Sequence, residues 1–198
     1  MMNIHYAVFV RHLSMVNLIL IFLVPALTMR MIAEERKLRT YDLLLTSPVT
    51  SAEIVLGKYF AVIGAVGCLM FVALLYPLTT RFFVAFQWGL LLVAFLGIFL
   101  LGAVYAAMNL FCSALTESAL VAYVMAVILN IAVWFVGIGV EIADGSLVRQ
   151  IFEHISLNTH LAAMIEGAIR TNGLVFLFSV IALFVFLTER VVESSRWR

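Results

Sequence analysis

The sequence predicts an all-α protein, a polytopic transmembrane helical bundle, from three observations. Apolar residues make up 65% of the chain and charged ones 12%, more apolar surface than one soluble core of this size can hide. Five windows run for about twenty residues each with no Asp, Glu, Lys or Arg at their centres, the length a helix needs to cross a bilayer. The polar stretches between them are too short to form a separate soluble domain. Residues 1–198 therefore read as a single transmembrane domain of five spans.

The first span covers about residues 13–32 and contains Pro25. A proline inside a helix removes one hydrogen bond, so a kink is expected there. The residues before it do not read as a cleavable signal, since the apolar run is too long and no small-residue cleavage site follows. The second span covers about residues 55–79, the third about 88–112, the fourth about 118–140 and the fifth about 172–188. In hydrocarbon each backbone must satisfy its own hydrogen bonds, so all five should be helices. Residues 113–117 read as a tight turn, 33–54 as a charged connection, and 141–171 as a longer polar segment.

Orientation follows from Lys and Arg near the span ends. Arg30, Arg36, Lys37, Arg39, Lys58, Arg190, Arg196 and Arg198 fall on one side, and Arg11, Arg81, Arg149 and Arg170 on the other. The richer side should be cytoplasmic, which puts the N-terminus out and the C-terminus in. Trp88 and Trp134 lie near the outer ends of their spans, where amphipathic rings favour the interface. Gly57, Ala61 and Ala65, and Ala103 with Ala107, recur at helical spacing. Such small residues let helices approach closely, and packing within the bundle is expected in preference to a dimer seam. Cys68 and Cys112 both fall in apolar runs and read as small buried thiols.

Several chemistries find no support. Gly137-Ile138-Gly139 lacks the Lys-Ser/Thr partner of a phosphate loop. Ser47, Ser51 and Ser113 have no nearby His–Asp set. His154 and His160, with Glu153 and Glu166 nearby, suit a solvated amphipathic helix better than a metal site. An ion-coupled carrier would be expected to hold intramembrane carboxylates, and the spans contain none. Asn109 and Asn130 are read as helix-bridging groups.

Residues 29–61, MRMIAEERKLRTYDLLLTSPVTSAEIVLGKYFA, are the specialised part. Helical periodicity continues past the first span through Ile32, Leu38, Tyr41, Leu44 and Leu45, with a charged collar from Glu34 to Arg39. Pro48 disfavours helix at Ser47. Thr50-Ser51-Ala52-Glu53 then matches a capping box that opens the next helix. The apolar patch of Leu43, Leu44, Leu45 and Val49 should be covered by a partner or by the bilayer interface. Physics alone leaves both readings open: a force-transmitting element, or an amphipathic loop lying on lipid.

The run AEERKLRTYDLLLTSPVTSAEIVLGKYFA, with VPALTMRMIAEE before it, resembles the segment between the second and third spans of ABC type-2 permeases, and the gliding-motility-type subgroup in particular. The resemblance implies a six-span permease domain paired with a second copy or a sister subunit, docked on cytoplasmic ABC ATPase subunits. ATP and Mg would be held by those partners, and this chain would carry no cofactor, metal or catalytic residue. Glu34, Glu35, Arg36, Thr40, Leu44, Thr46, Ser47, Pro48 and Glu53 would form the ATPase-coupling region. Residues 141–171 match the place where the family puts short re-entrant helices outside the membrane. The chain shows five spans where the family has six, so the first is expected to be missing, with residues 1–12 as the end of the external loop that would follow it. The implied function is a transport subunit in a bacterial inner membrane. The alternative is an anchor or assembly subunit of an ATPase-driven gliding or secretion machine.

Overall fold

The computed structural model describes residues 4–38, 49–80, 88–142 and 146–194. The described residues are helical throughout, joined by short turns. We number the helices α1 (Ile4–Thr28), α2 (Ala33–Lys37), α3 (Ser51–Ala73), α4 (Leu75–Thr80), α5 (Trp88–Leu115), α6 (Ala119–Ile142), α7 (Ser146–Ile155), α8 (Leu157–Ile165) and α9 (Thr171–Ser194). Five stretches are long and apolar enough to cross a membrane: Met15–Lys37, Ser51–Thr79, Trp88–Leu115, Ala119–Val140 and Thr171–Ser194.

The centre of the bundle is α5. Of its apolar window, 72% is buried, against 17% for the windows of α3, α6 and α9. Its sequence explains the position. Gly97, Gly102, Ala103, Ala106 and Ala107 keep its surface low, so α1, α3, α6, α8 and α9 can all pack against it. Between them stand Ile98, Leu101, Val104, Tyr105, Met108 and Leu110, each almost fully enclosed. Lipid is as apolar as these side chains, so close packing and hydrogen bonding, more than burial from water, must choose this arrangement.

The ends of the elements follow from local chemistry. Thr50 caps α3: its hydroxyl accepts from the Glu53 amide at 3.3 Å, while the Glu53 carboxylate accepts from the Thr50 amide at 2.8 Å. This is the expected reciprocal box. Ser156 caps α8 by accepting from the Thr159 amide. The helix then closes in a Schellman motif, with Ala168 N–H to Ala163 O and Gly167 N–H to Met164 O. Gly167 takes φ +84° there, a conformation side chains resist.

Four expectations are corrected. Residues 4–12 continue α1 and are not the end of a loop. The helical periodicity after the first span does not make one helix: α1 stops at Thr28 and a turn over residues 29–32 precedes α2, for a reason given below. The helix α5 runs through Ser113 to Leu115, which leaves only residues 116–118 as the turn. Cys112 is buried but Cys68 is exposed. It shares an outward face of α3 with Gly57, Ala61 and Gly64, all exposed as well. Apolar periodicity cannot separate a lipid-facing stripe from a packed one, because both are apolar. The small residues Ala103 and Ala107 do pack inside the bundle.

Candidate coupling site where two spans meet

The corner between α1 and α2 is held by side chains from other helices. At the end of α1, the Thr28 hydroxyl turns back to Val24 O and Pro25 O at 3.0 and 3.2 Å, committing its donor to its own helix. The residue before α2 is Ile32, whose side chain cannot cap. Helix N-termini leave amides unpaired unless something accepts from them. Ser113 of α5 does so: its hydroxyl accepts from the amides of Ile32 and Ala33, both at 3.2 Å, and donates to Met29 O at 3.1 Å. Ser113 and Ala33 are fully buried. The helix break is thus written partly in α5, eighty residues away.

Lys58, in α3, provides the second tie. Its ammonium donates to Met31 O at 2.7 Å and to the Glu35 carboxylate at 2.6 Å. The two side chains are only 15% and 31% exposed, so the pair is shielded from much of the screening that weakens surface ion pairs. Hydrogen bonds to charged groups contribute about 1.5–3 kcal/mol each. The neighbouring pair of Arg30 and Glu34 is different: at 3.8 Å and largely exposed, it adds at most about 1 kcal/mol. The result is a corner in which α2 is fastened to α3 through Lys58 and to α5 through Ser113.

Of the residues singled out from the sequence, Glu34, Glu35 and Arg36 lie together on α2 and Glu53 lies in the first turn of α3. Glu35 faces Lys58, and Glu53 is engaged by Thr50. Thr40, Leu44, Thr46, Ser47 and Pro48 fall outside the described residues, as do Leu43 and Leu45; Val49 is partly exposed. Lys58 and Ser113 were missing from that set. A lysine in the opening turns of an apolar helix was a signal for the first. Nothing local marked the second.

A further polar repair lies within the bundle. Pro25 has no N–H, so Ile21 O loses the partner the helix would have given it. The Asn130 amide of α6 donates to that carbonyl at 3.2 Å, fully buried. The bridging role expected of Asn130 is therefore realised. Asn109 behaves otherwise: it is 1% exposed, and among the described residues neither of its amide atoms has a hydrogen-bond partner.

At the opposite end of α5 lie two short helices: α7 packs on α6, and α8 packs on α5 and α6. His160 there stacks on Phe176, with centroids 4.9 Å apart, and its Nε2 lies 3.3 Å from His154 O. Among the described residues no three His, Cys, Asp or Glu side chains gather as a metal site would require.

The model of the ABC-2 family transporter proteins matches residues 4–188. The chain belongs to the ABC-2 transporter family. It is accordingly a multi-pass membrane protein of the permease type, a class that serves ABC transporters as a transport subunit and not as a catalyst. No curated protein and no solved structure matches the chain.

Proposed function

We propose that this ABC-2 protein is the permease subunit of an ABC transporter and that residues 33–54 receive a separate cytoplasmic ATPase, which holds the ATP and Mg. The observation that carries the reading is the fastened corner. Lys58 and Ser113 bind α2 to α3 and α5, so a push on the segment between α2 and α3 is delivered to two spans and to the central helix at once. An amphipathic loop resting on lipid has no need of such ties. In this reading the corner faces the cytoplasm, the N-terminus lies outside, α7 and α8 are external, and the membrane is a bacterial inner membrane.

The ATPase contact is assigned to the charged helix α2, with Glu34, Glu35 and Arg36, and to the apolar run that includes Leu44. Replacing Leu44→Asp together with Leu45→Asp is expected to abolish co-purification of the ATPase while membrane insertion is unchanged. Undiminished co-purification would sink the assignment. A second permease copy completes the translocation path in this reading. The exposed small-residue face of α3 is where it is expected to sit, because Gly57, Ala61, Gly64 and Cys68 align at i, i+4, i+7 and i+11. Substrate-stimulated ATP turnover by the purified complex separates a transporter from an assembly anchor.

A further inference from the structure

Three buried or half-buried polar side chains meet where α1, α5, α6 and α8 come together. Asn17 of α1 is 6% exposed and Tyr105 of α5 is fully enclosed. The Tyr105 hydroxyl donates to Asn17 Oδ1 at 3.3 Å. Asn17 Nδ2 donates to Asn158 Oδ1 of α8 at 3.2 Å, and Asn158 Nδ2 donates to Trp134 O of α6 at 3.2 Å. The direction of donation is the same at each step, so each amide gives and receives in a single chain. Gly137, one turn beyond Trp134, makes room for it: a Cβ at that position would collide with the Asn158 side chain.

The rest of α8 packs by apolar contact. Leu157, Leu161, Met164 and Ile165 are buried, with Met164 and Leu161 against the bare backbone of Gly97 in α5. Apolar contacts of this kind are non-directional. The Asn17–Asn158 bond is directional, and it ties the register of α8 to α1. Asn17 also lies on the helix that ends at the α2 corner, about 17 Å from Thr28 at the helical rise.

We infer that Asn17 is a positioning residue that makes α8 follow α1, so that a disturbance of the α1–α2 corner reaches the far end of the bundle through α1. The inference takes from the proposed function only its purpose, the passage of an ATPase-driven motion across the membrane. The mechanical claim stands or falls without an ATPase.

Hydrogen exchange of the full chain in lipid nanodiscs tests it, reading the amides of residues 29–38 and 157–165. Ser113→Ala loosens the corner and should speed exchange in residues 29–38. It should also speed exchange in 157–165, by roughly tenfold. Asn17→Leu alone should speed exchange in 157–165. In the Asn17→Leu background, adding Ser113→Ala should alter residues 29–38 only. Asn158→Ala removes the same bond from a half-buried position, together with the bond to Trp134 O of α6; it too should leave residues 157–165 unresponsive to Ser113→Ala, which covers a failure of the Asn17 variant to fold. A purely structural Asn17 would leave the two substitutions additive at α8, and that result overturns the inference. So does an α8 that ignores Ser113→Ala in the otherwise native chain. Loss of ATPase binding in the Leu44 and Leu45 variant, or its persistence, bears on the proposed function and leaves this outcome unchanged.

Discussion

The pairing of Asn130 with the carbonyl that Pro25 orphans can be measured by a double-mutant cycle. Asn130→Leu removes the donor and leaves Ile21 O, in a residue 3% exposed, without a partner. Leaving a buried acceptor unpaired costs about 1–3 kcal/mol. The same substitution also removes Asn130 Oδ1, which has no partner among the described residues, and so recovers a penalty of similar size. The single substitution can therefore look nearly neutral and decides nothing. The cycle does decide. In a Pro25→Ala background the restored N–H at that position supplies Ile21 O from within the helix, so Asn130→Leu loses no essential bond. The Oδ1 term is common to both backgrounds and cancels. Asn130→Leu should then be more destabilising in the native chain than in the Pro25→Ala background by about 1 kcal/mol, and by no more than about 2, the range of interhelical hydrogen bonds in membranes. Reversible SDS unfolding of the four purified proteins measures it. Additivity within about 0.3 kcal/mol would refute the repair.

Further outcomes follow from the same geometry. Asn109→Leu should be neutral or stabilising in that unfolding assay, because a 1%-exposed amide with no partner among the described residues is replaced by an apolar group; a loss above about 2 kcal/mol would contradict this. Gly137→Ala should cost about 1–3 kcal/mol by forcing Asn158 aside, whereas Gly57→Ala, with open space around its Cβ position, should change stability by less than about 0.5 kcal/mol. Lys58→Met should speed proteolytic cleavage within residues 38–49 by loosening the corner, as judged by mass spectrometry of the fragments. Mild oxidation of native membranes should give a disulfide-linked dimer through Cys68 that Cys68→Ser abolishes, if the small-residue face of α3 meets a second copy.

The spans were legible because the bilayer imposes a length and forbids charge. Their number needed no tertiary information, and the start of α3 was legible because Thr50 and Glu53 are neighbours in sequence. The break after Thr28 was not. Ile32 has no capping group of its own, and the serine that accepts from its amide sits at the end of α5, so local periodicity simply ran on. Asn17 was visible as an amide in the first span, yet its importance depends on Asn158 and Tyr105, which only the fold brings to it. Which face of α3 is bare was beyond reach for a different reason. Residues such as Gly57 and Cys68 suit lipid, a neighbouring span and a second copy alike.

The distribution of polar bonds singles out one helix. The irregular points of α1 and of the turn after it are met from four other helices. Asn17 is met by Tyr105 of α5 and Asn158 of α8, Ile21 O by Asn130 of α6, the amides of Ile32 and Ala33 by Ser113 of α5, and Met31 O by Lys58 of α3. In α9, by contrast, the hydroxyls of Thr188 and Ser179 donate to carbonyls of their own helix. A buried hydrogen bond that is displaced must be exchanged for another or broken. A displacement of α1 therefore has to carry these partners with it or sever bonds to four other helices. If residues 33–54 are where force enters, α1 is the element through which it is shared, by bonds to α3, α5, α6 and α8.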